Sequence, residues 1–268
     1  MSVSGRRDGP GSDKPDLSGT TSRIIRALEA VAEKGDFRLK DIAEKIDLPT
    51  STVHRILQTF TALNLIEKTD TQYYTLGIDF FRISSLVQQK FKLQNIARDQ
   101  LLDMAEHSGE TCSFALYMRA TRTGMIVDTI PTNHPLRYHI EPFTHWPLAW
   151  GSLGRSMLAY LPAEDVEAVL AAARASPATR QPVPKMADLS AELAETRLSG
   201  HYVSINQVEP GATGTAAAVL GPRGALVGSL GIAIPVQRYS PDMQAGLSEV
   251  VMRNARSLSA SLGYRPGD

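Results

Sequence analysis

The sequence predicts an α+β protein in two parts: a small helical part closed by a β-hairpin, then a larger part built on an antiparallel sheet with flanking helices. Three observations predict it. From Leu39 to Leu63 apolar residues recur at intervals of three and four, the period of helices. From Thr111 onward the pattern alternates with a period of two and is broken by Gly and Pro, as in strands and turns. Between them, residues 78–90 (IDFFRISSLVQQK) form an apolar helical stretch in which Ile78, Phe81, Leu86 and the following Phe91 exceed what one small core needs.

Residues 1–20 are rich in Gly, Ser, Asp, Arg and Pro and lack an apolar run, which predicts a disordered leader and not a secretory signal. Its Arg6, Arg7 and Lys14 are available to nearby phosphates. Thr21-Ser22 reads as the N-cap of a first helix, Arg23 to Glu33, with Ile24, Ala27, Leu28 and Val31 inward. A second helix carries Leu39, Ile42, Ala43 and Ile46 on one face until Asp47-Leu48-Pro49 breaks it. Pro49 suits the first turn of a third helix, where its missing N–H is no loss. There Val53, Ile56, Leu57, Phe60 and Leu63 form the core stripe. Leu65 to Lys68 and Gln72 to Leu76 then flank Thr69-Asp70-Thr71 as a hairpin.

The opposite face of the third helix carries Thr50, Ser51, Thr52, His54, Arg55, Gln58 and Thr59, with no carboxylate. An ordinary solvated face mixes Glu with Lys. Hydroxyls and free N–H groups at a helix start bind phosphate, and Arg or Gln reads base edges. Helix, turn, recognition helix and hairpin together make a winged helix-turn-helix over 21–77. The expected contacts to double-stranded DNA are Ser22, Arg23, Thr50, Ser51, Thr52, His54, Arg55 and Gln58, with Lys68 and Gln72 from the hairpin. One cation on the reading face is too little for tight specific binding. The expectation is therefore a homodimer or a dimer of dimers on an imperfect palindrome.

In the second part, Lys92 to His107 is an amphipathic helix with Leu93, Ile96, Ala97, Leu101, Met104 and Ala105 inward, stopped by Ser108-Gly109. Strands follow at 111–118 and 123–130, with a third expected at Leu136 to Ile140. Residues 141–150 read as an irregular aromatic loop. Helices are expected over 152–161, 162–174 and 186–199. Strands follow at 202–206, 214–220 and 225–234, and a closing helix runs over 241–262.

The run from Trp146 to Ser156 reads as a ligand site in its own right. Pro147, Trp146 and Trp150 lead into Gly151-Ser152-Leu153-Gly154, a helix start whose free N–H groups and Ser152 hydroxyl suit an anion, with the tryptophans as an apolar wall. The competing reading is a core loop whose glycines allow tight packing. Other constellations fall away. His134, His139 and His145 with Glu141 match no compact metal motif and are interrupted by Pro135 and Pro142. Cys112 stands alone on a strand, which excludes an internal disulfide and suits a reducing cytoplasm. Gly211-Ala212-Thr213-Gly214 lacks the lysine of a phosphate loop. No metal, cofactor or catalytic group is expected.

Zero net charge argues against a general coat for DNA but allows a local patch. An apolar fraction of 43% with 21% charged residues is that of a globular protein able to build two cores, and no stretch reaches transmembrane length.

Leu39-Lys40-Asp41-Ile42-Ala43, Leu48-Pro49-Thr50-Ser51-Thr52-Val53-His54-Arg55-Ile56-Leu57 and Tyr74-Thr75-Leu76-Gly77 resemble the DNA-binding domain of IclR-type transcriptional regulators. The resemblance continues through Glu110-Thr111, the segment Trp146 to Ala159, Gly200-His201-Tyr202-Val203, and Pro210-Gly211 to Ala216-Ala217. It implies a linker helix over 78–92 that helps pair subunits, and a GAF/profilin-like effector domain over 93–268. It places effector contacts on Trp146, Ser152 and Leu153, on Ser204 or Asn206, on Ala212 and Gly214, and on Gly231 and Ala233. Trp150 and Gly154 join them as neighbours at the helix start. Gly214, Gly231 and Ala233 replace Cys and Ser of some members, Ile205-Asn206 replaces an acidic pair, and Arg155 stands where Lys is usual. These departures imply a roomier, less polar pocket for a small organic acid of moderate size, with an aromatic body in view. The resulting expectation is a cytoplasmic, ligand-responsive repressor of a catabolic operon. The rival reading is a metabolite-binding or enzymatic domain whose winged helix serves protein contacts.

Overall fold

A computed structural model describes residues 19–69, 72–90 and 92–266. The leader through residue 18, with Arg6, Arg7 and Lys14, lies outside the described residues, as do Asp70, Thr71 and Phe91. The chain divides into two compact units between residues 90 and 91.

The first unit contains α1 (Thr20–Lys34), α2 (Leu39–Ile46), α3 (Thr50–Ala62), the hairpin β1 (Ile66–Lys68) and β2 (Tyr74–Leu76), and α4 (Ile78–Lys90). Its core joins Ala27, Ala30 and Val31 of α1 to Ile42 and Ile46 of α2 and to Val53, Leu57 and Phe60 of α3. Phe37 and Tyr74 stack at 5.6 Å between ring centroids and tie the hairpin to that core. The backbone of Phe37 also pairs with Tyr74, so a third segment supports the wing. Gly77 ends the hairpin where a Cβ would collide with the Asn64 carbonyl, while its own N–H donates to Leu65 O at 2.8 Å. The Tyr-x-Leu-Gly wording thus follows from close backbone approach.

Two local expectations need correction. α1 begins at Thr20 with Gly19 as N-cap, so Thr21 and Ser22 lie inside the helix, and Ile24 is exposed. Leu63 is 58% exposed because α3 ends at Ala62: the helical period stops one residue before it, and Leu65 packs on the core instead.

The second unit is a six-stranded antiparallel sheet in the order β5-β4-β3-β8-β7-β6. The strands are β3 (Thr111–Met118), β4 (Thr123–Ile130), β5 (His145–Trp146), β6 (Tyr202–Ile205), β7 (Ala212–Leu220) and β8 (Leu226–Pro235). Helices α5 (Lys92–Ser108) and α9 (Gln244–Ser261) cover one face over Phe114, Val219, Leu230 and Ile232. On the other face lie α6 (Gly151–Leu158), with α7 (Ala163–Ala172) and α8 (Met186–Ser199), over Ala115, Ile126 and Ala216. Strand alternation explains the division: successive side chains point to opposite faces, so each strand feeds both cores.

The strand expected at Leu136 to Ile140 does not form. The edge partner of β4 is β5, with Gly124 opposite Trp146. Pro135 lacks a donor for a ladder, and the segment crosses the surface with Leu136 exposed.

Candidate functional site

In the first unit, burial of the apolar stripe of α3 leaves Thr50, Ser51, His54, Arg55, Gln58 and Thr59 exposed on one side, with Thr52 half-buried. The N–H groups of Thr52 and Val53 bond to Pro49 O, so Thr50 and Ser51 are the residues with free donors at the helix start. Arg23 and Thr20 of α1 meet Thr52, Arg55 and Thr59 of α3 around one surface depression. The fold therefore brings two of the expected cations together. The main-chain N–H of Arg23 already donates to Gly19 O, which leaves the guanidinium, not the amide, as its binding group. Lys68 lies over the Tyr74 ring at 6.0 Å, and Gln72 takes a left-handed backbone at φ 66° in the wing turn. Arg38 stacks over Tyr73 at 4.5 Å, adding a cation beside the wing that sequence reading missed. It carried no sequence signal, because the Phe37–Tyr74 bridge that brings it to the wing has no local pattern.

In the second unit a cavity of about 50 Å³ lies between α6 and the sheet. This is well below the roughly 300–1,000 Å³ usual for small-molecule sites and tighter than the roomier pocket expected from the sequence, so a ligand of moderate size has to push its walls apart or extend through the mouth. Its walls include Trp146, Ser152, Leu153, Ser204, Ala212, Gly214, Gly231 and Ala233. Sheet register explains the set. Gly214 pairs with both Ser204 and Ala233, and Gly231 pairs with both Ser113 and Ala216, so small residues line up across four strands. A Cβ at Gly231 would lie 2.8 Å from Leu153 Cδ2, and one at Gly214 would collide with Ser152 Oγ and lie 3.4 Å from Ser204 Oγ. The missing side chains let α6 approach the sheet, with Ser152 and Leu153 in the space a Cβ would take. Trp146 reaches it from β5, and its indole Nε1 is buried without a hydrogen-bond partner.

Three expected residues stand away from this cavity. Trp150 is buried in the neighbouring core, where its Nε1 donates to Arg174 O at 2.9 Å and the Arg155 guanidinium lies over its ring at 5.6 Å. As N-cap residue of α6 it turns away from the mouth, leaving Trp146 as the only one of the two tryptophans on the wall. Gly154 packs under the Pro147 and Leu148 carbonyls, so it serves close packing of α6 on the segment that leads into it. Asn206 spends its side chain on the Gly211 N–H at 2.6 Å, holding the 206–211 loop in shape. Conversely, Tyr138, Ile140, Gln207, Val208 and Glu209 line the cavity and carried no sequence signal, because they converge from two loops far apart in the chain. Tyr138 Oη donates to Pro210 O at 2.9 Å and so closes one loop on the other. Gln207 Oε1 accepts the Gly151 N–H at 2.9 Å, occupying the first donor of α6.

Cys112 is buried, and burial pushes its thiol up to about 12, which keeps it protonated and unreactive. Arg155 is buried too, bonded to Glu192 Oε1 at 2.7 Å and to Ala149 O at 2.7 Å, so it clamps α6 to α8 and to the segment that leads into α6.

Residues 20–70 match the IclR helix-turn-helix domain, and residues 86–260 match the C-terminal domain of the bacterial transcriptional regulator IclR. This chain belongs to the IclR family of transcriptional regulators. Its arrangement of a DNA-binding helix-turn-helix domain and an effector-binding sheet domain is the family's, and membership decides against the enzyme reading. It is 25% identical over 262 residues to the HTH-type transcriptional regulator BhcR of Paracoccus denitrificans, covering 97% of this chain and 93% of that protein. It is 24% identical over 244 residues to the transcriptional repressor IclR of Escherichia coli, covering 90% and 89%. Among solved structures, an IclR homologue from Microbacterium hydrocarbonoxydans in complex with 4-hydroxybenzoate superposes with a TM-score of 0.77. It is 18% identical, with 91% of this chain and 99% of that one covered, a likeness of fold. Among the described residues no helix is long and apolar enough to cross a membrane.

Proposed function

We propose that this family member is a ligand-responsive repressor of a catabolic operon, acting in the cytoplasm and governed by a small carboxylate-bearing effector. The observation that carries the reading is the cavity over Gly214 and Gly231, with a helix start and two serine hydroxyls at one side and apolar walls at the other. Ser152, Leu153, Ser204, Ala212, Gly214, Gly231, Ala233 and Trp146 are its effector contacts. A carboxylate sits at the Ser152 and Leu153 end, where remaining N–H groups of α6 and the two hydroxyls face it. The repressor in Escherichia coli and the 4-hydroxybenzoate complex of the Microbacterium homologue support sign and ligand class by analogy.

On DNA, Thr50, Ser51 and Thr52 hold phosphate, and His54, Arg55 and Gln58 face base edges. Ser22, Arg23, Lys68 and Gln72 flank them on the backbone. The protein acts as a homodimer or dimer of dimers on an imperfect palindrome. Ile78, Phe81, Leu86 and Val87 of α4, the linker helix, leave exposed apolar surface for a second copy of the chain to cover.

Arg55 gives the direct test. In an anisotropy titration with DNA from upstream of its own gene, Arg55→Ala should lose about 1–3 kcal/mol and relax selectivity at one base position. Binding equal to wild type would remove α3 as the reading helix.

A further inference from the structure

The charge of the cavity is narrower than the reading of an acid-binding site requires. Its lining contains no Lys, Arg or His, and its one charged residue is a carboxylate, Glu209. Glu209 is exposed on the 206–211 loop and takes part in none of the ion pairs of the described residues. It lies beside Tyr138, whose phenol is held above its usual range by burial and then by the Glu209 charge. The mouth is thus electronegative, while the α6 end offers donors: the Ser152 and Ser204 hydroxyls over Gly214 and the unpartnered Trp146 indole N–H.

We infer that the pocket takes a monoanion whose far end carries a hydrogen-bond donor or a cation, and that Glu209 is the residue selecting that end. The inference rests on the cavity being the effector site. One carboxylate is met by hydroxyls and by the N-terminal end of a helix, which favour an anion without a cationic side chain. A second carboxylate would face Glu209 with no cation in the lining to neutralise it, and like charges in a partly dry site repel. A hydroxyl or ammonium group at that end donates to Glu209 instead. Trp146, Ile140, Leu153 and Val208 supply apolar walls for the body between the two ends.

The test is calorimetry on the full chain with three para-substituted benzoates: 4-(aminomethyl)benzoate, terephthalate and 4-methylbenzoate. The aminomethyl probe should bind wild type about tenfold tighter than terephthalate. Glu209→Gln should bring the two within about twofold, with 4-methylbenzoate lying between them in wild type. Terephthalate binding as tightly as the aminomethyl probe, an unchanged ratio in Glu209→Gln, or no binding of any probe to wild type would overturn the inference. Gly231→Leu, checked by thermal melting, and the milder Ser152→Asp separate it from the underlying site. If probes bind wild type and both variants equally, the effector site itself lies elsewhere and both readings fail. If both variants abolish binding but terephthalate ranks first, only the role of Glu209 fails.

Discussion

At the scale of single residues, the site depends more on what is missing than on what is present. The absent side chains of Gly214 and Gly231 let Ser152 and Leu153 of α6 close on the sheet. Sequence reading reached these residues through the family resemblance and through the helix start at Gly151. It also put Trp150 and Gly154 on the wall, because a linear run cannot tell which of two tryptophans faces a cavity and which caps a helix into a core. Tyr138 and Glu209 were illegible for a different reason: a loop residue's neighbours are set by tertiary closure, here the Tyr138 to Pro210 bond. Ser152→Asp puts a carboxylate where the effector's own is proposed to sit. Calorimetry with 4-hydroxybenzoate as probe should show a loss of at least about tenfold, an effect of ~1.4 kcal/mol, with the far-ultraviolet spectrum unchanged. Equal affinity in the two proteins would move the carboxylate end away from α6.

At the scale of elements, periodicity carried most of the reading. The 3.6-residue stripe of α3 predicted both the buried Val53, Leu57 and Phe60 and the polar face opposite. It failed at Leu63, where the helix ends and the period no longer applies. Strand alternation likewise predicted β3, β4, β7 and β8, but it also suggested a strand at Leu136 to Ile140. There Tyr138 and Ile140 line the cavity and no strand pairs with them. The wing is held by the Phe37–Tyr74 stack and bridge and, at its exit, by one tight backbone contact. Gly77 has no room for a Cβ against the Asn64 carbonyl. Gly77→Ala should therefore destabilise the first unit by about 1–3 kcal/mol through overpacking, read as a lowered midpoint in urea, and weaken DNA binding further than stability alone accounts for. An unchanged midpoint would show that the backbone at 64–66 gives way easily and that the wing is not tightly built.

At the scale of the whole molecule, the account joins two units that each make sense alone: one exposes a polar, acid-free helix face, the other encloses a cavity beside a helix start. Zero net charge is compatible with the proposed DNA contacts because two cations, Arg23 and Arg55, meet around one depression. The exposed apolar residues of α4 were legible from the helical stretch at 78–90, since Ile78 and Phe81 exceed the needs of the small core and are left exposed. Regulation requires that an effector bind two DNA-binding arrangements unequally; a ligand that binds both equally shifts nothing, however tight it is. The decisive measurement is operator affinity by fluorescence anisotropy, with and without a saturating ligand already shown by calorimetry to need Ser152. The account predicts that the ligand weakens operator binding by at least about fivefold, or ~1 kcal/mol of coupling, in wild type and not in Ser152→Asp. A ligand that fills the pocket yet leaves operator affinity unchanged would contradict it.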